Sequence, residues 1–164
     1  MILYIVRHAW AADRDDLVYP DDGQRPLTRE GRKRFAKLVK KLSPRGLAPQ
    51  AIVTSPLVRC RETAELLAAG SPGKPELIQR TELEPGSDLD GLLRWTNAEL
   101  GTCQEVAWVG HAPDVGQMAG LLLGAGEAAV DFSKGAIAAI AFDDRPALGQ
   151  GLLRWLVTAK VLGV

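Results

Sequence analysis

The chain has 164 residues and carries 20 Lys+Arg against 20 Asp+Glu, a formal net charge of +0. With 46% hydrophobic and 24% charged residues, it has the composition of an ordinary globular protein long enough to bury one core, not that of a disordered chain. The charge balance excludes a protein built to coat nucleic acid or an anionic membrane surface, and it leaves room for a small local cluster of charge.

Ile2–Val6 is a short apolar, β-branched run, which predicts a strand buried on both faces. Thr28 is a predicted N-cap, and Phe35, Leu38, Val39 and Leu42 recur at helical spacing until Pro44. Ala51-Ile52-Val53 reads as a second strand. Ser55 is then expected as the N-cap, and Pro56 as the first residue, of a helix running to about Ala69. Leu77-Ile78 is expected as a short strand, Asp88–Leu100 as a helix and Val106–Val109 as another buried strand. Gly110-His111-Ala112-Pro113 leads into a helix through about Leu123, and Ala136–Phe142 and Leu152–Val157 close the pattern as two strands able to pair antiparallel. Strands alternating with helices of this length predict an α/β fold, three layers deep, with a mostly parallel central sheet. The turn-rich stretches are too short to be interdomain linkers, so residues 1–164 are read as a single domain.

Cys60 and Cys103 form no C-x-x-C pair, which removes the zinc-ribbon and thioredoxin readings and makes disulfide dependence unexpected. The opening apolar run is too short for a signal-peptide core, and no stretch approaches the roughly 20 apolar residues of a membrane span. A soluble, cytoplasmic protein with no membrane or nucleic-acid partner is the expectation.

The chain holds two histidines. His8 follows the first predicted strand and Arg7; His111 follows the fourth and Gly110. The edge just past the carboxyl ends of the strands is where open α/β sheets bind ligands. Arg59, one turn into the helix after the second strand, is expected near the same rim. Two arginines and two histidines at one crevice suit a tetrahedral oxyanion, because the guanidinium fork binds phosphate bidentately and strand-to-helix turns add N–H donors. No G-x-x-x-x-G-K-[ST] loop is present, which excludes a P-loop nucleotide site. Gly124-Ala125-Gly126-Glu127 follows a helix and is read as a loop.

These residues carry a resemblance. Leu3-Tyr4-Ile5-Val6-Arg7-His8-Ala9 resembles the Arg-His-Gly signature of the histidine phosphatase superfamily, the phosphoglycerate mutase-like fold. Ser55-Pro56-Leu57-Val58-Arg59-Cys60-Arg61-Glu62-Thr63-Ala64 and Val109-Gly110-His111-Ala112-Pro113 are similar to its later motifs. Arg25-Pro26-Leu27-Thr28-x-x-Gly31 and Phe132-Ser133-x-Gly135-Ala136-Ile137-Ala138 look like the SixA-type phosphohistidine phosphatases within it. The resemblance implies a metal-independent phosphatase with no cofactor. It implies His8 as the nucleophile that takes the phosphoryl group, and Arg7, Arg59, His111 and Ala112 as substrate-binding, His111 adding positive charge. Glu82, in Thr81-Glu82-Leu83-Glu84-Pro85-Gly86, resembles the segment that often carries an acidic proton donor. The implied substrate is a phosphohistidine in a signalling protein. The alternatives are a small-molecule phosphomonoester or phosphoanhydride, a non-catalytic phosphate-binding regulator, and a mutase, the last disfavoured by the little chain left for a lid. Ala9 departs from the usual glycine.

The bland readings stand beside these. Asp13, Asp15, Asp16, Asp21 and Asp22 are read as a solvated acidic loop, and Arg29, Arg32, Lys33, Arg34, Lys37, Lys40 and Lys41 as a solvated helix face. Arg61 and Glu65 are expected as a surface pair. Cys60 is assigned to packing. The tryptophans are assigned mostly to the core, with Trp10 a candidate pocket wall.

Overall fold

The computed structural model describes residues 1–126 and 130–164. In chain order the main elements are β1 (Ile2–Arg7), α1 (Arg29–Leu42), β2 (Ala51–Thr54), α2 (Val58–Gly70), β3 (Glu76–Gln79), α3 (Leu89–Glu99), β4 (Glu105–Gly110), α4 (Asp114–Leu122), β5 (Ile137–Ala141) and β6 (Leu152–Val157). The six strands form one sheet in the order β3-β2-β4-β1-β5-β6. β1, β2, β3 and β4 pair in parallel, while β5 runs antiparallel to both β1 and β6. The three-layer, mostly parallel α/β expectation holds, and the closing strands do pair antiparallel.

The central strands are apolar along their whole length because both faces are covered. Leu3 and Ile5 of β1 face one hydrophobic layer with Trp108 of β4, Leu92 of α3 and Met118 of α4. Tyr4 and Val6 face the other with Val109, Phe35 and Leu38 of α1 and Leu67 of α2. The alternation is the two-residue period of a strand read from both sides. Trp108, fully buried, donates its indole N–H to Thr96 Oγ1 at 3.2 Å, which satisfies its one polar atom.

Helix starts follow the caps. Thr28 Oγ1 accepts from the Gly31 N–H at 2.9 Å and opens α1; Asp88 Oδ1 accepts from the Gly91 N–H at 2.9 Å and opens α3. Ser55 does not open α2, contrary to expectation. The helix begins at Val58, Leu57 is extended, and no side chain caps it. Ser55 Oγ is engaged instead with His111 (below), so Ser55-Pro56-Leu57 is a turn and not a first helical turn.

Connections from β1 and β4 leave to opposite faces of the sheet, β1 towards α1 and β4 towards α4, although the two strands are neighbours. That divergence opens a crevice beyond Arg7 and Gly110 at the carboxyl edge. Of the expected Gly124–Glu127 loop, residues 124–126 lie outside helix and strand, and Glu127 lies outside the described residues. Among the described residues no helix is long and apolar enough to cross a membrane.

Candidate active site

β1 and β4 pair with Arg7 opposite Gly110, so the residues that follow them, His8 and His111, emerge side by side. Their ring centroids lie 5.3 Å apart, tilted by 59°. The backbone locks them there. His8 N–H donates to Gly110 O at 3.0 Å, and Gly135 N–H donates to His8 O at 3.1 Å. Gly135 has φ +71, and a Cβ there would press on the Trp10 ring at 3.0 Å, so glycine is required on both counts. α2 is fastened to the same point: Thr63 Oγ1 accepts from the Ala9 N–H at 3.0 Å and donates to Arg59 O at 2.7 Å. Ala9 is fully buried and no non-glycine residue among those described has positive φ, so alanine sits here without backbone strain.

His8 is poised as a neutral ring with a free nitrogen. Its Nδ1 lies 2.8 Å from Ala9 O. A carbonyl oxygen only accepts, so Nδ1 carries the proton and Nε2 keeps its lone pair. Burial lowers the His8 pKa to about 4, with Arg59, Arg7 and Arg25 pushing the same way against the Ala9 hydrogen bond. His111 is lowered further, to about 3, by burial first and then by Arg59 and His8. At neutral pH the His111 ring is therefore neutral in these surroundings and offers a hydrogen-bonding imidazole to the crevice. Ser55 Oγ lies 3.0 Å from His111 Nε2 and already accepts from Leu57 N–H at 3.3 Å, so its hydroxyl proton is free for that nitrogen.

The arginines supply the charge. Arg7 gives one N–H to Phe132 O at 2.6 Å, and its Nε is buried with no partner. Arg59 is 4% exposed; Nη1 donates to Asp22 O at 2.8 Å, Nη2 meets Asp22 Oδ2 at 3.1 Å, and its Nε is also unpartnered. Guanidinium stays charged under such conditions. Four of the residues expected from sequence, Arg7, His8, Arg59 and His111, thus lie on one rim, and Ala112 lines a groove beside Arg7.

Glu82 is ion-paired. Its two carboxylate oxygens face Arg80, which also lies 4.7 Å over the Trp95 ring. The hydrogen bond from Arg80 holds the Glu82 carboxyl below the usual carboxylate range, the opposite of what a proton donor at neutral pH needs.

Other residues join the site unforeseen. Asp22 is not solvated like Asp13, Asp15, Asp16 and Asp21; it accepts from Arg25 Nε at 3.0 Å and pairs with Arg59, and these arginines hold its carboxyl low. Arg25, whose Nη1 donates to Ala12 O at 2.8 Å, adds a third positive charge felt by both histidines. Its place in Arg25-Pro26-Leu27-Thr28 was the available signal. Cys60 packs as expected, yet against the site: Sγ lies 3.4 Å from His111 Nε2, and burial pushes the thiol up to about 12. Trp10 lines a separate groove with Thr28 and Arg34, whose guanidinium lies 4.3 Å over the ring. Arg61 and Glu65 form no ion pair among the described residues; α2 instead pairs Glu62 with Arg32. The basic face of α1 is also partly used: Arg34 Nε and Lys41 Nζ donate to the carbonyls of Val164 and Leu162 at 2.9 and 2.6 Å. Among the described residues no group of three or more His, Cys, Asp or Glu side chains converges as a metal site.

A chain that matches the model of the histidine phosphatase superfamily (branch 1) over residues 3–141 belongs to that family, and the protein is accordingly a phosphatase of the hydrolase class. It is 42% identical over 121 residues to an uncharacterized protein of Picosynechococcus sp., covering 73% of this chain and 71% of that protein. Its fold superposes on the protein histidine phosphatase SixA complexed with tungstate with a TM-score of 0.85, 25% identity and 99% coverage of both chains. The α-ribazole phosphatase of Shigella flexneri matches with a TM-score of 0.67, 18% identity and 97% coverage of both, which speaks for the fold alone.

The buried neutral histidines set an acid limit on stability. Both folded-state pKa values lie below the ordinary 6.5, so between about 6.5 and about 3 the unfolded chain binds protons that the folded chain does not. Stability is fully present above about 6.5 and drains as pH falls through that window. Thermal unfolding scanned from pH 7 to pH 4 is expected to show a falling Tm, and His111→Gln to flatten the fall; a wild-type Tm unchanged to pH 4 contradicts it.

Proposed function

We propose that this chain, acting as one domain, is a cytoplasmic phosphohistidine phosphatase that works through phosphorylated His8 on a phosphohistidine carried by a signalling protein. His8 Nε2 attacks phosphorus as the P–N bond to the substrate ring breaks, and the departing imidazole keeps the bonding pair. Water then attacks phospho-His8, inorganic phosphate leaves with the oxygen of that water, and His8 returns to the neutral ring. Arg7 and Arg59 hold the phosphoryl oxygens through N–H groups not committed to Phe132 or Asp22, and His111 adds a further donor. In a loose phosphoryl-transfer transition state such positioning and charge supply most of the catalysis.

One observation favours a phosphohistidine over a phosphate ester. Two carboxylates around the site, Asp22 beside Arg59 and Glu82 in the segment that resembles a proton donor's, are both tied to arginines and held below the usual range. An alkoxide leaving group needs a proton as it departs; an imidazole whose other nitrogen is already protonated leaves neutral without one. The full-length likeness to a protein histidine phosphatase points the same way. A substrate panel of a phosphohistidine protein, phosphoimidazole, an aryl phosphate, sugar phosphates and nucleotides tests this. The P–N substrates are expected to exceed the alkyl phosphates in kcat/KM by about 10²-fold or more, the size of a missing general acid. A sugar phosphate or nucleotide hydrolysed as fast overturns the reading.

A further inference from the structure

Beside Arg7 runs a groove of about 430 Å³, walled by Ala112, Pro113, Val130 and Phe132 with Asp131 on its rim. Its volume lies in the range of small-ligand sites, and its walls are mostly apolar. It begins at Arg7, so a substrate whose phosphoryl group sits among the arginines and histidines has its leaving group in or over this groove.

The wall carrying Asp131 is built, not draped. Val130 N–H donates to Gly116 O at 3.1 Å, and Phe132 O accepts from Arg7 Nη1 at 2.6 Å, so both neighbours of Asp131 are anchored. At Gly116 a Cβ would come within 2.3 Å of Val130 O; only glycine lets this wall lie so close to α4. Phe132 is 2% exposed while Asp131 is exposed, which leaves a carboxylate on the open rim of an apolar slot, near enough to Arg7 for its charge to act there.

We infer that this groove is the leaving-group subsite and that Asp131 sets its specificity, favouring a flat ring bearing a positive charge or an N–H and opposing leaving groups that carry their own negative charge. The inference rests on the phosphohistidine reading above and names the residue that selects for it. The apolar walls take the faces of an imidazole, and the carboxylate accepts a hydrogen bond from its protonated distal nitrogen. As phosphorus passes from the ring to His8, that nitrogen keeps its proton and the ring departs neutral. A carboxylate-bearing phosphomonoester presents like charge to Asp131 and is repelled.

The test compares wild type, Asp131→Asn and Asp131→Lys on phosphoimidazole, p-nitrophenyl phosphate and phosphoglycolate at neutral pH. The kcat/KM ratio of phosphoimidazole to phosphoglycolate is expected to fall by roughly fivefold or more in Asp131→Asn, the scale of a partly exposed charge contact, and further in Asp131→Lys. p-Nitrophenyl phosphate is expected to change least. If Asp131 merely braces Arg7, all three substrates lose the same factor, and that result overturns the inference, as does an unmoved ratio. Failure of the phosphohistidine reading looks different: wild type then prefers phosphoglycolate to phosphoimidazole, whatever the variants do.

Discussion

Alanine in place of His8 is expected to cut turnover of every substrate by at least about 10⁴-fold, the scale seen when a covalent nucleophile is removed. The reason is geometric. Ala9 O fixes the proton on Nδ1 and leaves Nε2 as the bare nitrogen, and burial, aided by the surrounding arginines, lowers the ring's pKa to about 4, so that it is neutral at neutral pH. His111, 5.3 Å away by ring centroid, cannot substitute, because Ser55 and Cys60 occupy the surroundings of its Nε2. Rapid quenching of the wild type with labelled substrate should trap phosphate in an acid-labile, base-stable linkage. His8→Ala should trap none and yet retain a cooperative thermal transition, since the backbone bonds that hold residue 8 to Gly110 and Gly135 do not involve the ring. Labelled phosphate retained on the His8→Ala protein, or residual activity within tenfold of wild type, would show that the covalent step runs elsewhere.

What could be read from sequence follows the physics of each signal. Ile2–Val6 and Val106–Val109 announced buried strands because a strand covered on both faces has no polar alternation, and the residues just beyond them had to reach the ligand-binding edge. That made Arg7, His8 and His111 legible. Arg59 was legible through its motif. Ser55 is ambiguous in sequence because a serine before proline is equally suited to accept a helix N–H or to meet a side chain across the crevice, and only the position of His111 decides. Asp22 was hidden among five acids of one loop; its neighbours stay in water while it alone meets Arg59 and Arg25. The antiparallel insertion of β5 beside β1 lay in the pairing of distant segments, which no local pattern encodes. Glu82 shows the converse. Its motif resembles a donor segment, and what the motif does not carry is the pairing of its carboxylate with Arg80, two residues away.

Arg59 should leave two separable marks when replaced. Arg59→Ala is expected to lower kcat by about 10²–10³-fold, as for loss of one preorganised oxyanion donor, and also to move the acid limb of kcat/KM upward. The second effect follows from the sign of the field. Next to burial, Arg59 is the leading charge that lowers the pKa of both His8 and His111. Its removal lets the His8 pKa climb from about 4 towards 6.5, so protonation silences Nε2 at a higher pH. Arg59→Lys separates the two effects. Lysine restores a positive charge but not the planar fork that holds Asp22 by both its backbone oxygen and its carboxylate while presenting further N–H groups to the site. The lysine variant should therefore keep most of the kcat loss while returning the acid limb to near its wild-type position. An acid limb that stays put in Arg59→Ala would mean that Arg59 does not tune His8, and a kcat restored by lysine would mean that it works by charge alone, in which case the assignment of the guanidinium as an oriented phosphoryl clamp would fall.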